Sequence, residues 1–319
     1  MSTTWTVTAE SQLTHVTPRT FSLILSSSHS PAILNLPVEL MLSVVEAAFA
    51  ECKPVNLALI SKAFAKVVDV ILYRTVVLDS FHTVQRFHRT THSKTRVFLT
   101  DHVKRLAVTW WPECDTSQEQ IHAIIAACPG IRALIAPTFL WPIDIISTVP
   151  VDGGLTDITI ESFDGDCGAL RRASKLSKEL TYLRICEPST MWFSPTSILA
   201  AFGPLPQLSH LQLARRANAN ETNDIMFANS VRTLLHSLPA LKMLIVSIFT
   251  EPFTCSKAED SSIWKRMSGI RDEDCRVVIL PGRYDEWRAE LQNQKLVRSG
   301  YQPANFWVRA ANANHTKTV

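Results

Sequence analysis

The sequence predicts an α/β protein in which a short N-terminal helical module is followed by an irregular solenoid of strand and helix units. Two observations predict this arrangement. Apolar residues recur with helical spacing through residues 35–78, and an apolar-x-x-apolar pattern then recurs six times between residues 103 and 246. With 319 residues, of which 46% are hydrophobic, the chain is long enough to bury a large core.

The helical module begins where Asn35 can cap a helix and Pro37 is tolerated in its first turn. Pro54 can open a second helix over Val55–Ser61, and a third helix follows it. The apolar positions that define the first and third helices are Leu40, Met41, Val44, Val45, Ala48 and Phe49, then Phe64, Val67, Val68, Ile71 and Leu72. Three short helices carry more apolar surface than so small a core can hide, which indicates a binding partner.

The repeated strands have their second apolar residue at positions 106, 134, 158, 183, 211 and 244, which lie 24 to 33 residues apart, and a seventh strand is predicted over Arg276–Leu280. Helices are predicted over Ser117–Cys128, Ala169–Lys178, Pro195–Phe202 and Ile225–Leu238. Several end just before a proline, which drives the preceding residue out of the helical conformation. One strand and one helix per repeat is typical of a leucine-rich-repeat-like solenoid. A doubly wound α/β sheet has the same alternation and is the alternative.

The remaining segments complete the predicted organisation. Residues 1–34 are rich in Ser and Thr and are predicted to be a flexible tail, as are residues 310–319. The solenoid occupies residues 79–309 and is interrupted by a polar insertion or irregular loop over 251–274. A helix over Tyr284–Val297 is expected to cap the end of the array.

Composition disfavours several classes of function. The net charge of +3 is a small excess for nucleic-acid binding, and nine glycines are few for the phosphate-binding loops of cofactor folds. The sequence contains no G-x-S-x-G, H-E-x-x-H, G-x-x-x-x-G-K-[ST] or G-x-G-x-x-G signature. We therefore expect a protein that is not an enzyme, has no catalytic residues, cofactor or metal, and binds neither nucleic acid nor membranes.

The cysteines and the early sequence indicate a compartment. Seven cysteines form an odd number without a C-x-x-C pair, which argues against a disulfide framework and a zinc module. The early apolar run Phe21–Leu25 is too short for a signal peptide, and no later run is long enough to span a membrane. We expect free thiols and a cytoplasmic and/or nuclear location.

Three segments within residues 36–78 share a pattern with a known protein family. They are Leu36-Pro37-Val38-Glu39-Leu40, Leu57-Ala58-Leu59-Ile60-Ser61-Lys62-Ala63-Phe64 and Ile71-Leu72-Tyr73-Arg74-Thr75-Val76-Val77-Leu78. Together they resemble the F-box, and in particular the F-box-like proteins of fungi, in which an L-Y-R-x-V-x-L junction leads directly into a leucine-rich-repeat-like region. The segment Ala47–Cys52 departs from the family, which has a more leucine-rich turn there.

The resemblance implies a substrate-recognition adaptor of an SCF-type cullin-RING ubiquitin ligase. The F-box would bind the Skp adaptor, and the region after it would hold a target protein that the sequence does not identify. The adaptor-facing residues that the resemblance implies are Leu36, Pro37, Leu40, Leu59 and Phe64. The alternatives are a protein-binding scaffold outside the ligase with a degenerate F-box, and an α/β hydrolase or transferase, for which no nucleophile and base can be placed.

Tryptophans follow three of the repeat strands and are candidates for target binding. Loops that leave the same end of aligned strands gather along one rim, and tryptophan is enriched at binding hot spots. These residues are Trp110, Trp111, Trp141 and Trp192. If their rings instead point inward as packing residues, the next candidates are the strand residues Lys104, Tyr182 and His210. His88 and His92 share a helix face and are interpreted as surface histidines rather than as a metal site.

Overall fold

The computed structural model of the protein describes residues 36–110, 115–137, 154–163, 165, 178–251, 257–296 and 306–315. Within these ranges the chain forms eleven α-helices and one sheet of eight parallel strands. The tail predicted over 1–34 and nearly all of the helix predicted over Ala169–Lys178 lie outside the described residues.

Three helices at the N-terminal end form the predicted module: α1 (Val38–Glu51), α2 (Pro54–Ala58) and α3 (Lys62–Arg74). Each begins at a start signal in the sequence. Pro37 precedes α1, and Pro54 is the first residue of α2. At the start of α3 the Phe64 N–H donates a hydrogen bond of 3.2 Å to the Ser61 hydroxyl. The module has a small core of its own, made of Val45, Phe49, Leu57, Phe64, Val67 and Val68.

The spatial order of the eight parallel strands is the order of the chain. The strands are β1 (Thr75–Leu78), β2 (Arg105–Val108), β3 (Ala133–Ala136), β4 (Asp157–Ile160), β5 (Tyr182–Ile185), β6 (His210–Arg216), β7 (Met243–Phe249) and β8 (Val277–Gly282). The last seven confirm the strands predicted from the sequence, and β1 adds a strand that continues directly from α3. The six repeat positions pair in register, from Leu106 with Leu134 through to Leu211 with Leu244.

Six helices cover one face of the sheet. They are α4 (Phe81–Ser93), α5 (Arg96–His102), α6 (Asp115–Ala127), α7 (Pro195–Phe202), α8 (Glu221–Ser237) and α9 (Ser262–Glu273). The buried side chains of these helices and of the repeat positions form one continuous core. Three of the helices, α6, α7 and α8, confirm the helices predicted in those parts of the sequence.

Two further helices, α10 (Glu286–Leu296) and α11 (Phe306–His315), cover the opposite face. Side chains of a strand alternate between faces, so the residues between the repeat positions point to this second face. The apolar contacts there are Trp287 and Leu291 against Ala107, Ile135 and Cys186, and Trp307 and Ala310 against Ile245 and Val278. The end of the chain therefore folds back across the sheet.

The predicted fold class, a short helical module followed by an irregular leucine-rich-repeat-like solenoid, is wrong. The protein has a single all-parallel sheet with helices on both faces, a Rossmann-like α/β arrangement in that respect, and the sheet begins at the end of α3. The prediction failed at the second face, because it placed the helix over Tyr284–Val297 at the end of the array as a cap. Instead, α10 lies over the strands on which Ala107 and Ile135 are found. Covering both faces satisfies the burial that all-parallel sheets require.

Two segments predicted as irregular are helical in part. The predicted insertion over 251–274 contains α9, and residues 310–315 of the predicted tail belong to α11. The buried residues described in these segments are Ala258, Ile263, Trp264, Met267, Ile270 and Ala310. They are few and lie among polar neighbours, so the composition of the segments did not reveal their apolar helix faces.

Four cysteines lie in the described residues, and all four are free thiols. Cys52 and Cys275 are exposed, whereas Cys128 and Cys186 are buried. Burial raises the pKa of the Cys128 and Cys186 thiols to about 12. Both therefore stay protonated near neutral pH, where a thiol is a poor nucleophile.

Replacing Trp287 by Ala tests how α10 covers the second face. Trp287 is buried against the sheet, so Trp287→Ala should lower the free energy of unfolding by about 3–5 kcal/mol in a urea titration. Cys186 packs against α10 and should then react faster with a thiol reagent, as followed by mass spectrometry. Val308→Ala on the exposed side of α11 is the control and should leave both measurements unchanged. Equal stability of Trp287→Ala and the unmodified protein would contradict this packing.

Candidate functional site

The helical module exposes large apolar side chains although its own core is filled. On α1, Leu40 is 52% exposed and Val44, one turn later, is also exposed. Around α2, Leu59 is 79% exposed, and Val55 and Ile60 are exposed as well. We call these five residues the module surface. Exposed apolar side chains on so small a unit are typical of a protein-binding site.

Four of the five residues predicted to face the adaptor lie at the surface of the module. Leu36, Pro37, Leu40 and Leu59 are exposed. Phe64 is only 5% exposed, because it lies in the first turn of α3 and packs inside the module core. The structure therefore corrects the assignment of Phe64 from adaptor contact to core residue. The sequence analysis missed Val44, Val55 and Ile60 as surface residues, although Val44 follows Leu40 at the spacing of one helical turn.

The module is fixed to the sheet rather than tethered to it. Helix α3 ends at Arg74 and β1 begins at the next residue. The Tyr73 ring packs edge-on against Phe98 of α5, with ring centroids 5.2 Å apart. The Lys94 ammonium lies over both rings and also donates a hydrogen bond of 3.4 Å to Asp69 of α3. These contacts hold the module in one orientation against the sheet.

The tryptophans predicted to form a binding rim have different environments. Trp110 is half-buried and packs against the main core. Its ring centroid lies 6.1 Å from that of Phe81. Trp111 and Trp141 lie outside the described residues. Trp192 is half-buried, with its ring centroid 6.5 Å from that of Phe227. Trp192 lines a pocket.

The strand residues proposed as the next candidates are used within the fold. Tyr182 and His210 stack with ring centroids 4.6 Å apart, and both rings contact Trp307 of α11. The Lys104 ammonium donates a hydrogen bond of 2.7 Å to the Thr100 carbonyl. The second face of the sheet is therefore closed at Tyr182 and His210.

Polar residues of the second face also have partners inside the protein. Arg184 donates hydrogen bonds of 2.8 Å to Gln212 and 3.1 Å to Glu290 of α10. Its guanidinium lies 3.6 Å from the centroid of the Phe306 ring. Gln212 in turn donates to the Ser247 hydroxyl at 2.9 Å. This network joins β5, β6 and β7 to α10.

A pocket of about 260 Å³ opens at the carboxyl ends of β5 and β6, beside the first turn of α8. Local capping positions the walls: Ser194 accepts from the Ser197 N–H at the start of α7, and Asn220 accepts from the Thr222 N–H at the start of α8. The polar part of the wall includes Ser189, Thr190, Asn218 and Asn223. The apolar part includes Phe163, Trp192, Ile198 and Phe227.

A buried ion pair lies at the wall of this pocket. Arg215 donates from Nε and Nη2 to one carboxylate oxygen of Asp224, at 3.2 and 2.8 Å. Its guanidinium lies 4.4 Å from the Trp192 ring centroid and 5.7 Å from that of Phe227. Burial raises the pKa of Asp224 and lowers that of Arg215, and their mutual hydrogen bond opposes both shifts. Perturbed ionisable groups in a cleft indicate a functional site.

Groups of metal-ligating side chains and membrane-spanning helices are both absent from the described residues. No group of three or more His, Cys, Asp or Glu side chains is arranged there to hold a metal ion. His88 and His92 of α4 are 3.3 Å apart between Nε2 atoms, a distance at which one imidazole N–H donates to the other. None of the described helices has the length and apolar character to cross a membrane.

Comparison with known proteins adds no family. No protein-family model matches this chain, and no curated protein is significantly similar to it in sequence.

The sequence analysis did not find Arg215, Arg216 or Asp224. A signal was present, because two arginines end β6 and an asparagine-rich turn leads into a helix whose first turn carries Asp224. The ion pair forms because Arg215 points to the helix-covered face, where the first turn of α8 lies. The spacing of these residues in the sequence does not predict how β6 and α8 pack together.

Asp224→Ala tests the cost of the buried charge. It leaves Arg215 charged and without its partner, so the free energy of unfolding should fall by about 3–5 kcal/mol in a urea titration. The double variant Arg215→Leu with Asp224→Leu removes both charges and should recover most of this loss. Glu273→Ala, which removes the exposed partner of Arg232, is the matched control and should cost at most about 1 kcal/mol. A double variant less stable than Asp224→Ala would mean that the pair itself stabilises the fold.

Proposed function

We propose that this protein is a substrate-recognition adaptor of an SCF-type cullin-RING ubiquitin ligase, acting in the cytoplasm or nucleus. The module of α1, α2 and α3 docks on the Skp adaptor, and the carboxyl edge of the sheet holds a target protein. One observation carries the proposal. Leu40 and Leu59, which the F-box resemblance assigns to the adaptor, are 52% and 79% exposed on a module whose core is filled by other residues.

The module surface has the chemistry that such docking needs. Burying one exposed leucine, isoleucine or valine side chain contributes about 1.5–3 kcal/mol. Several such residues in one small unit offer a partner apolar side chains to bury. Because these residues are not needed to fill the module core, they are available for the adaptor.

The attachment of the module to the sheet supports the same role. The direct continuation of α3 into β1, together with the Tyr73 and Lys94 contacts, keeps the module surface at a fixed distance from the pocket edge. A target held at that edge is therefore presented at one position relative to the bound ligase. This raises the local concentration of target lysines near the ubiquitin donor, and the bond-forming chemistry belongs to the ligase.

A protein-binding scaffold with a degenerate F-box is the second candidate. The burial of Phe64 favours it, because one of the five residues that the resemblance assigns to the adaptor is unavailable. The departure of Ala47–Cys52 from the family pattern points the same way.

Leu59→Asp and Leu40→Asp separate the two candidates. A carboxylate placed in an apolar interface loses its hydration without gaining a partner, so each variant should weaken binding of purified Skp adaptor tenfold or more in biolayer interferometry. Both side chains are mostly exposed in the free protein, so the melting temperature should be nearly unchanged.

Val97→Asp is the matched control for these variants. Val97 is 69% exposed, but it lies on α5 outside the module. The Val97→Asp variant should bind the Skp adaptor as the unmodified protein does. If the folded, unmodified protein does not bind Skp, the ligase proposal fails and the scaffold remains.

A further inference from the structure

We propose that the pocket at the carboxyl ends of β5 and β6 binds an anionic group of the target protein, next to an apolar side chain of the same segment. Arg216 supplies the positive charge, Arg215 supplies further N–H donors, and Trp192 forms the apolar wall. The inference rests on the proposed function in one respect, which is that the ligand is a segment of a target protein.

The first observation is the unused hydrogen-bonding capacity of Arg215. A guanidinium has five N–H donors. Among the described residues, only two of them have an acceptor, and it is the same oxygen of Asp224. The Arg215 side chain is only 10% exposed and lines the pocket, so little solvent reaches its other donors. A planar guanidinium with free donors at a pocket wall matches a carboxylate or a phosphate.

The second observation is the balance of charge around the pocket. Of its described lining residues, Arg215 and Arg216 are cationic and Glu187 is anionic. One oxygen of the Glu187 carboxylate accepts from the Trp287 indole N–H at 3.1 Å and from the Asp285 backbone N–H at 2.8 Å, which holds this carboxylate in place. Arg216 is exposed at the end of β6. Arg216 is therefore the cation that a ligand in the pocket can pair with, because the charge of Arg215 is balanced by Asp224.

The acidic residues in the first turn of α8 are both paired with arginines, so Asp224 balances the charge of Arg215 and leaves Arg216 as the uncompensated cation. Glu221 accepts a hydrogen bond of 2.8 Å from Arg266 of α9, and Asp224 is fully buried against Arg215. The helix also directs its N-terminal N–H groups toward this edge, which favours an anion. The side-chain amides of Asn218 and Asn223 add neutral donors to the wall.

The third observation concerns the size and the apolar part of the pocket. At about 260 Å³ it is smaller than the pockets that take drug-sized ligands or cofactors, and it suits one or two side chains of a peptide. Trp192, Phe163 and Ile198 form the apolar wall, and Met191 is exposed at the rim. A segment with an acidic residue beside an aliphatic or aromatic residue fits both halves.

The test begins with selection of peptides from a random twelve-residue phage library on the immobilised full-length protein. We expect the selected peptides to carry an acidic residue next to an aliphatic or aromatic one. The synthetic consensus peptide is then titrated against the protein by calorimetry. Arg216→Gln should weaken its binding tenfold or more, as should replacing the peptide's acid by its amide.

Arg132→Gln is the matched control, because Arg132 is an exposed arginine at the amino end of the strands, away from the pocket. It should bind the peptide like the unmodified protein. Replacing the acid by phosphoserine distinguishes the two sources of the anion: tighter binding assigns a phosphorylated target, and weaker binding an acidic side chain. Selection of no peptide, selection without acidic residues, or unchanged binding by Arg216→Gln overturns the proposal.

The same peptide separates this inference from the ligase proposal. Leu59 lies on the module, away from the pocket, so the Leu59→Asp variant should bind the consensus peptide with unchanged affinity. Peptide binding by a protein that does not bind Skp would support the pocket and reject the ligase function.

Discussion

The fold depends on one apolar position per strand, repeated in register across the whole sheet. Val76 pairs with Leu106, and the row continues without a shift to Leu244 and Val277. The strands β1 to β5 have only four residues each, so their hydrogen bonds alone are few. A shift of one residue would turn this row to the opposite face and remove it from the core. The spacing of the strands along the chain, the helices that cover the row and the position of the pocket all follow from keeping it continuous.

The residues that alternate with this row explain why the chain folds back on itself. They are mixed in chemistry, from Ala107 and Ile135 to Arg184 and Gln212. The polar residues of this face need hydrogen-bonding partners when they are buried, and its apolar residues need to be shielded from water. Helices α10 and α11 meet both demands, because Trp287 and Trp307 cover the apolar residues while Glu290 pairs with Arg184. With both faces covered by helices, the sheet faces themselves are closed to a partner within the described residues.

Much of the first face could be predicted from sequence, and little of the second could. The strand positions could be predicted because the same apolar-x-x-apolar pattern recurs in each unit. Trp287 and Trp307 lie outside the repeat pattern, and nothing in their spacing predicts which strands they contact. The exposed residues Leu40 and Leu59 followed from a family pattern, but the same pattern misplaced Phe64, whose burial depends on how α3 packs in the module. The pairing of Arg215 with Asp224 could not be predicted, because it depends on how the end of β6 packs against the start of α8.

The return of the chain across the sheet has a consequence for its synthesis. The strands leave the ribosome in the order in which they pair, so the sheet can grow as the protein is made. The helices that close it, α10 and α11, follow all eight strands in the sequence and contact residues made much earlier: Arg288 pairs with Glu161, and Trp287 with Glu187. At typical elongation rates residues 286–315, which contain both helices, take about 2–6 s. During that interval the nascent sheet carries an uncovered face, and a chain that stops before α10 carries it permanently. Chaperones and proteases that recognise exposed apolar surface would thereby distinguish the finished protein from the truncated one.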